Sequence, residues 1–216
     1  LEAFVGQNLR DFYRQEIDLT GKTVRNFPWQ NPEFYAAWLS QTHFYQIHST
    51  RVVAFAGGLF PYSMNEFHLN FMEYAREEKN HEKLLIFDLK DLERKITDYN
   101  EIAETQALYQ SQYYWIQHVH PITIYGYFLY LEGIAVEHGQ YILDKVESAF
   151  GGKAARCLKV HINEDVDHTE GHFKSLANLK EEHVELIKKN LHVSARLYEN
   201  MMLRMQHQPA LIKKAA

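Results

Sequence analysis

A chain of 216 residues, 46% hydrophobic and 24% charged, holds enough apolar material for one sizeable core and is too ordinary in composition for a disordered chain. Its formal net charge of −5, with no basic face or basic-aromatic interleaving, argues against a nucleic-acid partner. The single cysteine, Cys157, rules out an internal disulfide, and the 13 His and 14 Tyr form a surplus of nitrogen ligands and oxidisable phenols.

The chain opens Leu1-Glu2-Ala3-Phe4, without a Met and with nothing that resembles a secretory signal. Its most apolar stretch, Pro121 to Val136, is too short to cross a bilayer and carries Glu132. The expectation is a cytoplasmic protein with no membrane partner. Five prolines and ten glycines fall between long stretches of helical period, and no strand-like alternation persists. Residues 1–216 therefore read as a single all-α domain. Its predicted helices cover 2–17, 32–56, 63–96, 100–119, 121–150, 153–178 and 181–207, a seven-helix bundle.

In chain order, Asn31-Pro32 caps the second helix and places proline at its first position. The inward stripe of that helix is Trp38, Gln41, Tyr45, His48 and Val52, without a carboxylate. Gly57-Gly58 and Pro61 end it, and Ser63 with Glu66 reads as a capping box opening the third. The third helix has the stripe Phe67, Phe71, Tyr74, Glu78, His81, Leu85, Leu89 and Leu92. Within it, Glu78 and His81 form Glu-x-x-His, which lets one helical turn offer a carboxylate and an imidazole to the same ion. Glu77 lies about 100° further round and is expected to face water.

Tyrosines crowd the next two helices: Tyr109, Tyr113, Tyr114, Tyr125, Tyr127 and Tyr130. Packing with a satisfied hydroxyl is the simpler account; lining a pocket, positioning substrate or carrying a radical is the functional one. On the fifth helix the stripe Tyr125, Phe128, Glu132, Ala135, Gly139, Ile142 places one carboxylate among apolar neighbours. Glu137 keeps company with Tyr130 and Tyr141 on another face. Gly151-Gly152 ends this helix.

The sixth helix is the most informative. Steps of three or four residues trace Ala154, Leu158, His161, Asp165, His168, His172, Leu176 and Leu179 along one side. The stripe begins and ends apolar, so it is the buried side, yet its middle is imidazole, carboxylate, imidazole, imidazole. An unpaired carboxylate there costs several kcal/mol or more, roughly beyond what packing recovers, and a bound cation is the economical explanation. The seventh helix is amphipathic and charged, most simply a packed outer helix, with a homodimer interface as the alternative.

Three helices thus offer Glu78, His81, Glu132, His161, Asp165 and His168. Carboxylates mixed with imidazoles suit iron, or manganese, whereas a structural zinc site favours thiolates and closes at four ligands. Six such ligands serve two ions and leave positions open for dioxygen, and the ions' charge would exceed that of the three carboxylates, a modest positive surplus that would attract an anionic substrate. Taken singly, a buried His is usually a hydrogen-bonded core residue, and Glu-x-x-His is common in helices. The combination is what carries weight. His172 could be a further ligand or a pocket residue but reads best as the partner of a ligand; Tyr45, His48 and Tyr125 are further candidates for either a ligand's partner or the pocket. Cys157 sits just off the stripe with no evident activating base, and no Gly-rich phosphate loop or Ser-His-Asp arrangement is found.

At these residues the sequence resembles the haem-oxygenase-like diiron oxidases. The segments that carry the resemblance are Glu77-Glu78-Lys79-Asn80-His81, Leu131-Glu132-Gly133 and His161-Ile-Asn-Glu-Asp165-Val-Asp-His168. This superfamily of seven-helix proteins includes an alkene-forming fatty-acid decarboxylase and a chlamydial oxygenase that forms p-aminobenzoate from its own tyrosine. The resemblance implies two Fe(II) ions that use O2 to oxidise a small molecule: a carboxylic acid, an amino acid or an amine. Two departures matter. The carboxylate that N-oxygenating members add on an earlier helix is missing from the second-helix stripe. The lysine of the self-modifying branch has no counterpart nearer than Lys145. Two other functions remain on the same fold: haem binding or degradation, with His43 or His48 as axial ligand, and a non-catalytic metal-binding helical module.

Overall fold

The structure, a computed structural model, describes residues 8–207 and 212. All the regular structure in them is helical: α1 (Leu9–Arg25), α2 (Pro32–Gln46), α3 (Ser49–Leu59), α4 (Asn65–Glu77), α5 (His81–Asp91), α6 (Ala103–His118), α7 (Ile124–Phe150), α8 (Arg156–Ser175) and α9 (Glu181–His207). These make seven helical arms, because α2–α3 and α4–α5 are each one arm with an interruption. No described helix is long and apolar enough to cross a membrane.

The first arm runs past the predicted end at residue 17 to Arg25, and residues 2–7 of that prediction lie outside the described ones. The second arm bends at Ile47–His48, where both residues keep right-handed dihedrals, so the chain changes direction without leaving helical space. The third arm is broken more sharply. Asn80 stands at φ 76°, a left-handed conformation that Asn tolerates better than most residues, and a new helix starts at His81. Glu78 and His81 therefore do not share one continuous helix, contrary to expectation: Glu78 closes α4 and His81 opens α5. The capping box at Ser63 and Glu66 does not form either. A short 3-10 turn covers Tyr62–Met64, and α4 begins at Asn65 behind Met64, whose side chain makes no capping bond.

The 27-residue α7 is the central strut, packed against α1, α8 and α9. Gly126 makes one of these contacts possible. A Cβ there would collide with the carbonyl oxygen of Ile187 and the amide nitrogen of Leu191, so two helix backbones touch at this point. Gly151, at φ 77°, ends α7 as glycine does at helix C-termini. The start of α8 has no cap of its own; Asp88, fully buried on α5, supplies one from across the bundle. Its carboxylate accepts from the backbone nitrogens of Arg156 (3.1 Å) and Cys157 (2.9 Å) and pairs with the Arg156 guanidinium. Burial raises the Asp88 carboxyl above its usual range. Helices α5 and α8 are thereby locked in register, which sets where the polar residues of α8 meet those of α4, α5 and α7.

Candidate metal centre

Glu78, Glu132 and Asp165 come together from three helices at 8%, 5% and 3% exposure, a dense concentration of buried carboxylate. Burial pushes Glu78 up to about 7, with His161 pulling the other way and Glu132 and Asp165 adding to the rise. Asp165 is raised by burial too, against the pull of His168 and His161. The Asp165 carboxyl in turn holds the His168 imidazole up at about 9. Burial lowers His81, and the neighbouring His161 lowers it further. Each of the six predicted ligands therefore lies in the field of at least one other.

Their contacts are specific. His81 Nδ1 is 3.7 Å from Glu78 Oε2, and His168 Nδ1 is 3.6 Å from Asp165 Oδ1. Both Nδ1 atoms are buried and have no hydrogen-bond partner. His161 Nδ1 donates to the Cys157 carbonyl oxygen at 2.9 Å, and its Nε2 lies 3.0 Å from the Gln46 amide nitrogen. Burial lowers this imidazole, but Cys157, Asp165 and Glu78 outweigh it and hold it well above its usual range. Glu132 is held on three sides. Its Oε1 accepts from the Tyr74 hydroxyl and from His172 Nε2 (3.0 Å), and its Oε2 from Thr169 (3.4 Å). Glu137 is exposed, as expected.

Some of the six imidazole and carboxylate groups also reach outward. His81 Nε2 lies 3.5 Å from Glu164, and His168 Nε2 lies 3.6 Å from Glu77. Glu77 does face water, with its side chain 51% exposed, but it also touches a predicted ligand, which the helical-wheel argument missed. Among the described residues, no three or more His, Cys, Asp or Glu side chains are drawn tightly enough together to hold an ion as they stand. The donor chemistry nevertheless fits one. Two ligands at about 2.1 Å from a common ion, with angles of roughly 90–120° between them, sit about 3–3.6 Å apart, close to both imidazole–carboxylate separations. The two orphaned Nδ1 atoms are the kind of buried vacancy in hydrogen bonding that asks for a partner.

Beside this cluster lies a partly open cavity with about 840 Å³ of space not filled by atoms, some of it open to solvent. Glu78, Glu132, His161, Asp165 and Tyr74 form one part of its wall. The rest is mostly apolar or aromatic: Trp38 and Tyr45 from α2, Tyr127, Phe128, Leu131 and Ile142 from α7, Leu158 from α8 and Tyr198 from α9. Tyr45 is thus a pocket residue, one of the two roles the sequence allows it, whereas His48 and Tyr125 do not line the cavity. His48 stacks on Tyr109 at 3.9 Å and bonds the Tyr113 hydroxyl, and Tyr125 packs behind His172. Sequence periodicity did not single out Thr42, Gln46 or Tyr198. Thr42 and Gln46 lie on the cavity face of α2 with Trp38 and Tyr45, and steps of four and eight from Trp38 would have found them. Cys157 also lines the cavity, its Sγ 3.6 Å from His161 Nδ1, so a neighbouring imidazole does exist.

No protein-family model matches the sequence, and no curated protein does. Solved structures show the fold. A domain of unknown function with a haem-oxygenase-like fold from Shewanella denitrificans superposes with a TM-score of 0.83 at 16% identity, over 98% of this chain and 100% of that one. A TenA homologue from Pseudomonas syringae gives 0.75 at 12% identity, over 91% of each chain. A TenA homologue from P. horikoshii gives 0.71 at 14% identity, over 91% of this chain and 97% of that one. The chain has the haem-oxygenase-like fold.

Proposed function

We propose that this chain is a non-haem diiron oxidase, using Fe(II) and O2 to oxidise a small molecule bound in the cavity between α2 and α7. The observation that carries the reading is the burial of Glu78, Glu132 and Asp165 together with three imidazoles, two of which keep an unpartnered nitrogen. Three carboxylates in one another's field need compensating positive charge, and no Lys or Arg is among the described residues that line the cavity. Glu78, His81, Glu132, His161, Asp165 and His168 would hold two ions. When bound, two Fe(II) ions supply the electrons and open coordination positions that O2 activation needs; manganese is the other metal this donor set suits.

The chain's own residues do the rest. The hydrogen bond from His161 Nδ1 to the Cys157 carbonyl orients the ring so that Nε2 is the nitrogen an ion would meet. Tyr74, His172 and Thr169 fix the direction of the Glu132 carboxylate. Trp38, Phe128 and Ile142 keep much of the cavity wall apolar and limit water in it. Anaerobic addition of Fe(II), followed by elemental analysis and exposure to air, tests the reading. Two irons per chain and rapid O2 consumption are expected. A folded protein that retains less than one iron, or one that binds iron without consuming O2, would overturn it; the latter result is that of a non-catalytic metal-binding module.

A thiol-based activity is the second reading, favoured by the place of Cys157 on the cavity wall beside His161 and by the fold shared with TenA homologues. The geometry counts against it, because His161 Nδ1 already carries the proton it gives to the Cys157 carbonyl and cannot take another from the thiol. Haem chemistry has less support. His43 is engaged with the Glu82 carbonyl, and neither it nor His48 lines the cavity.

A further inference from the structure

Four tyrosines line the cavity, and the hydroxyls of three are already engaged. Tyr74 donates to Glu132, Tyr198 accepts from the indole nitrogen of Trp38 at 3.1 Å, and Tyr45 bonds Thr42 on its own helix. Tyr127, on α7, is the fourth. It is 4% exposed, and its hydroxyl makes no hydrogen bond to any of the described residues. A hydroxyl held away from bulk water without a partner is unfavourable by about 1–3 kcal/mol, and such a group in a folded protein calls for a specific explanation.

The surroundings of Tyr127 define what its hydroxyl can do. It stands in the field of Glu78 on α4 and acts in turn on Tyr45 on α2, so the phenolic oxygen lies near the acidic end of the cavity. A phenol is protonated at neutral pH, and burial, with Glu78 adding to it, raises this one further, so it is a donor. Beside it the wall is apolar: the Phe128 ring is centred 5.7 Å away, and Leu131 follows one turn on. Such a wall offers a water molecule few other partners, and a ligand that carries its own acceptor is the better match. No Lys or Arg is among the described lining residues, so any charge on that acceptor must be met by something other than a basic side chain.

In the oxidase reading two divalent ions sit among Glu78, Glu132 and Asp165, and their charge exceeds that of the three carboxylates. A protonated amine is repelled by that surplus and has no lone pair for the phenol, whereas a carboxylate is favoured by both. We infer that Tyr127 is a specificity-determining residue of the cavity, donating a hydrogen bond to the carboxylate of a substrate whose apolar body lies against Trp38, Ile142 and Leu158. The inference rests on the oxidase reading and narrows its substrate from acids, amino acids and amines to molecules that carry a carboxylate.

The test uses protein loaded with Mn(II), so that no turnover intervenes, and two probes of like size, 4-phenylbutanoate and 4-phenylbutylamine, titrated by calorimetry at neutral pH. The acid is expected to bind about tenfold more tightly or better. Tyr127→Phe keeps the ring, and it should weaken the acid about tenfold and leave the amine unchanged, a selectivity that a merely structural role would not produce. Circular dichroism checks that the variant folds. Equal or tighter binding of the amine by wild-type protein, which needs no variant, overturns the inference. So does undiminished affinity for the acid in a folded Tyr127→Phe, or no binding of the acid. A third probe, methyl 4-phenylbutanoate, is titrated against metal-free protein, because a neutral acceptor needs no ion. Wild type should bind it about threefold more tightly than Tyr127→Phe, and equal affinity removes Tyr127 as the donor. Elemental analysis keeps the two readings apart. Protein that takes up no Mn(II) sinks the oxidase reading and the carboxylate with it, and the ester alone then decides the donor. Protein that loads two ions and shows no acid-selective loss in Tyr127→Phe sinks only this inference.

Discussion

Tyr74 on α4 donates its phenolic hydrogen to Glu132 on α7, tying the end of the broken third arm to the central strut. The contact joins a residue of the apolar stripe to a proposed ligand, and its loss should be felt at the metal before it is felt by the fold. Removing a hydrogen-bonding neighbour of a ligand typically lowers metal affinity about 10–100-fold. Tyr74→Phe is expected to fall near the lower end, because His172 and Thr169 still hold Glu132. Fe(II) titration against a chelator measures this, and unchanged affinity would remove Tyr74 from the site.

Glu78 and Glu77 make a matched pair of adjacent carboxylates. Glu78→Gln should bring iron below two per chain and abolish O2 consumption, since a neutral amide is a poorer ligand in a buried site. Glu77→Gln removes only a half-exposed partner of His168, and its iron content should stay within about twofold of wild type. Elemental analysis decides between them. If the Glu77 variant alone loses iron, the ligand on this arm is misassigned.

Metal-free protein should lose stability as pH rises. The folded Glu78 carboxyl is pushed up to about 7 from an ordinary value near 4.5, so between those values the folded chain holds a proton that the unfolded chain has released. Its contribution is fully present below about 4.5 and is lost as pH climbs through 7. The drop is on the order of 2–3 kcal/mol, shared among coupled neighbours. Thermal unfolding at pH 5.5 and 8 should show a lower midpoint at pH 8, and Glu78→Gln should flatten the difference. A midpoint that rises with pH in the wild type and not in Glu78→Gln would contradict it.

Asp88→Ala should be costly in another way. It strips the only side-chain cap observed at the start of α8 and leaves the Arg156 and Cys157 amides without their partner. A loss of about 2–4 kcal/mol is expected, combining a lost cap with lost charge-assisted bonds. Chemical denaturation measures it, and thiol labelling of Cys157 under native conditions should quicken in the same variant. Asp88→Asn should recover part of the loss.

Much of the fold was legible because helical period and Gly/Pro breaks are local signals. The α8 stripe was legible for a related reason: polar residues at core spacing stand out against Leu158 and Leu176. What periodicity could not show was the break at Asn80. No proline or glycine marks it, and the stripe through Tyr74, Glu78, His81 and Leu85 reads through the turn as if the helix were whole. The contact of Glu77 with His168 was hidden for the same reason, since a wheel describes one helix and not what stands opposite. Gln46 and Thr42 carried no signal of their own. An amide and a hydroxyl on a buried face are ordinary, and Gln41, five residues before Gln46, shows how ordinary such a residue usually is.

The backbone contact at Gly126 leaves that position a one-letter alphabet. Even alanine would push its methyl into the backbone of α9, whatever the cavity holds. In a distant relative, glycine at that place would testify to shared architecture and be silent about chemistry.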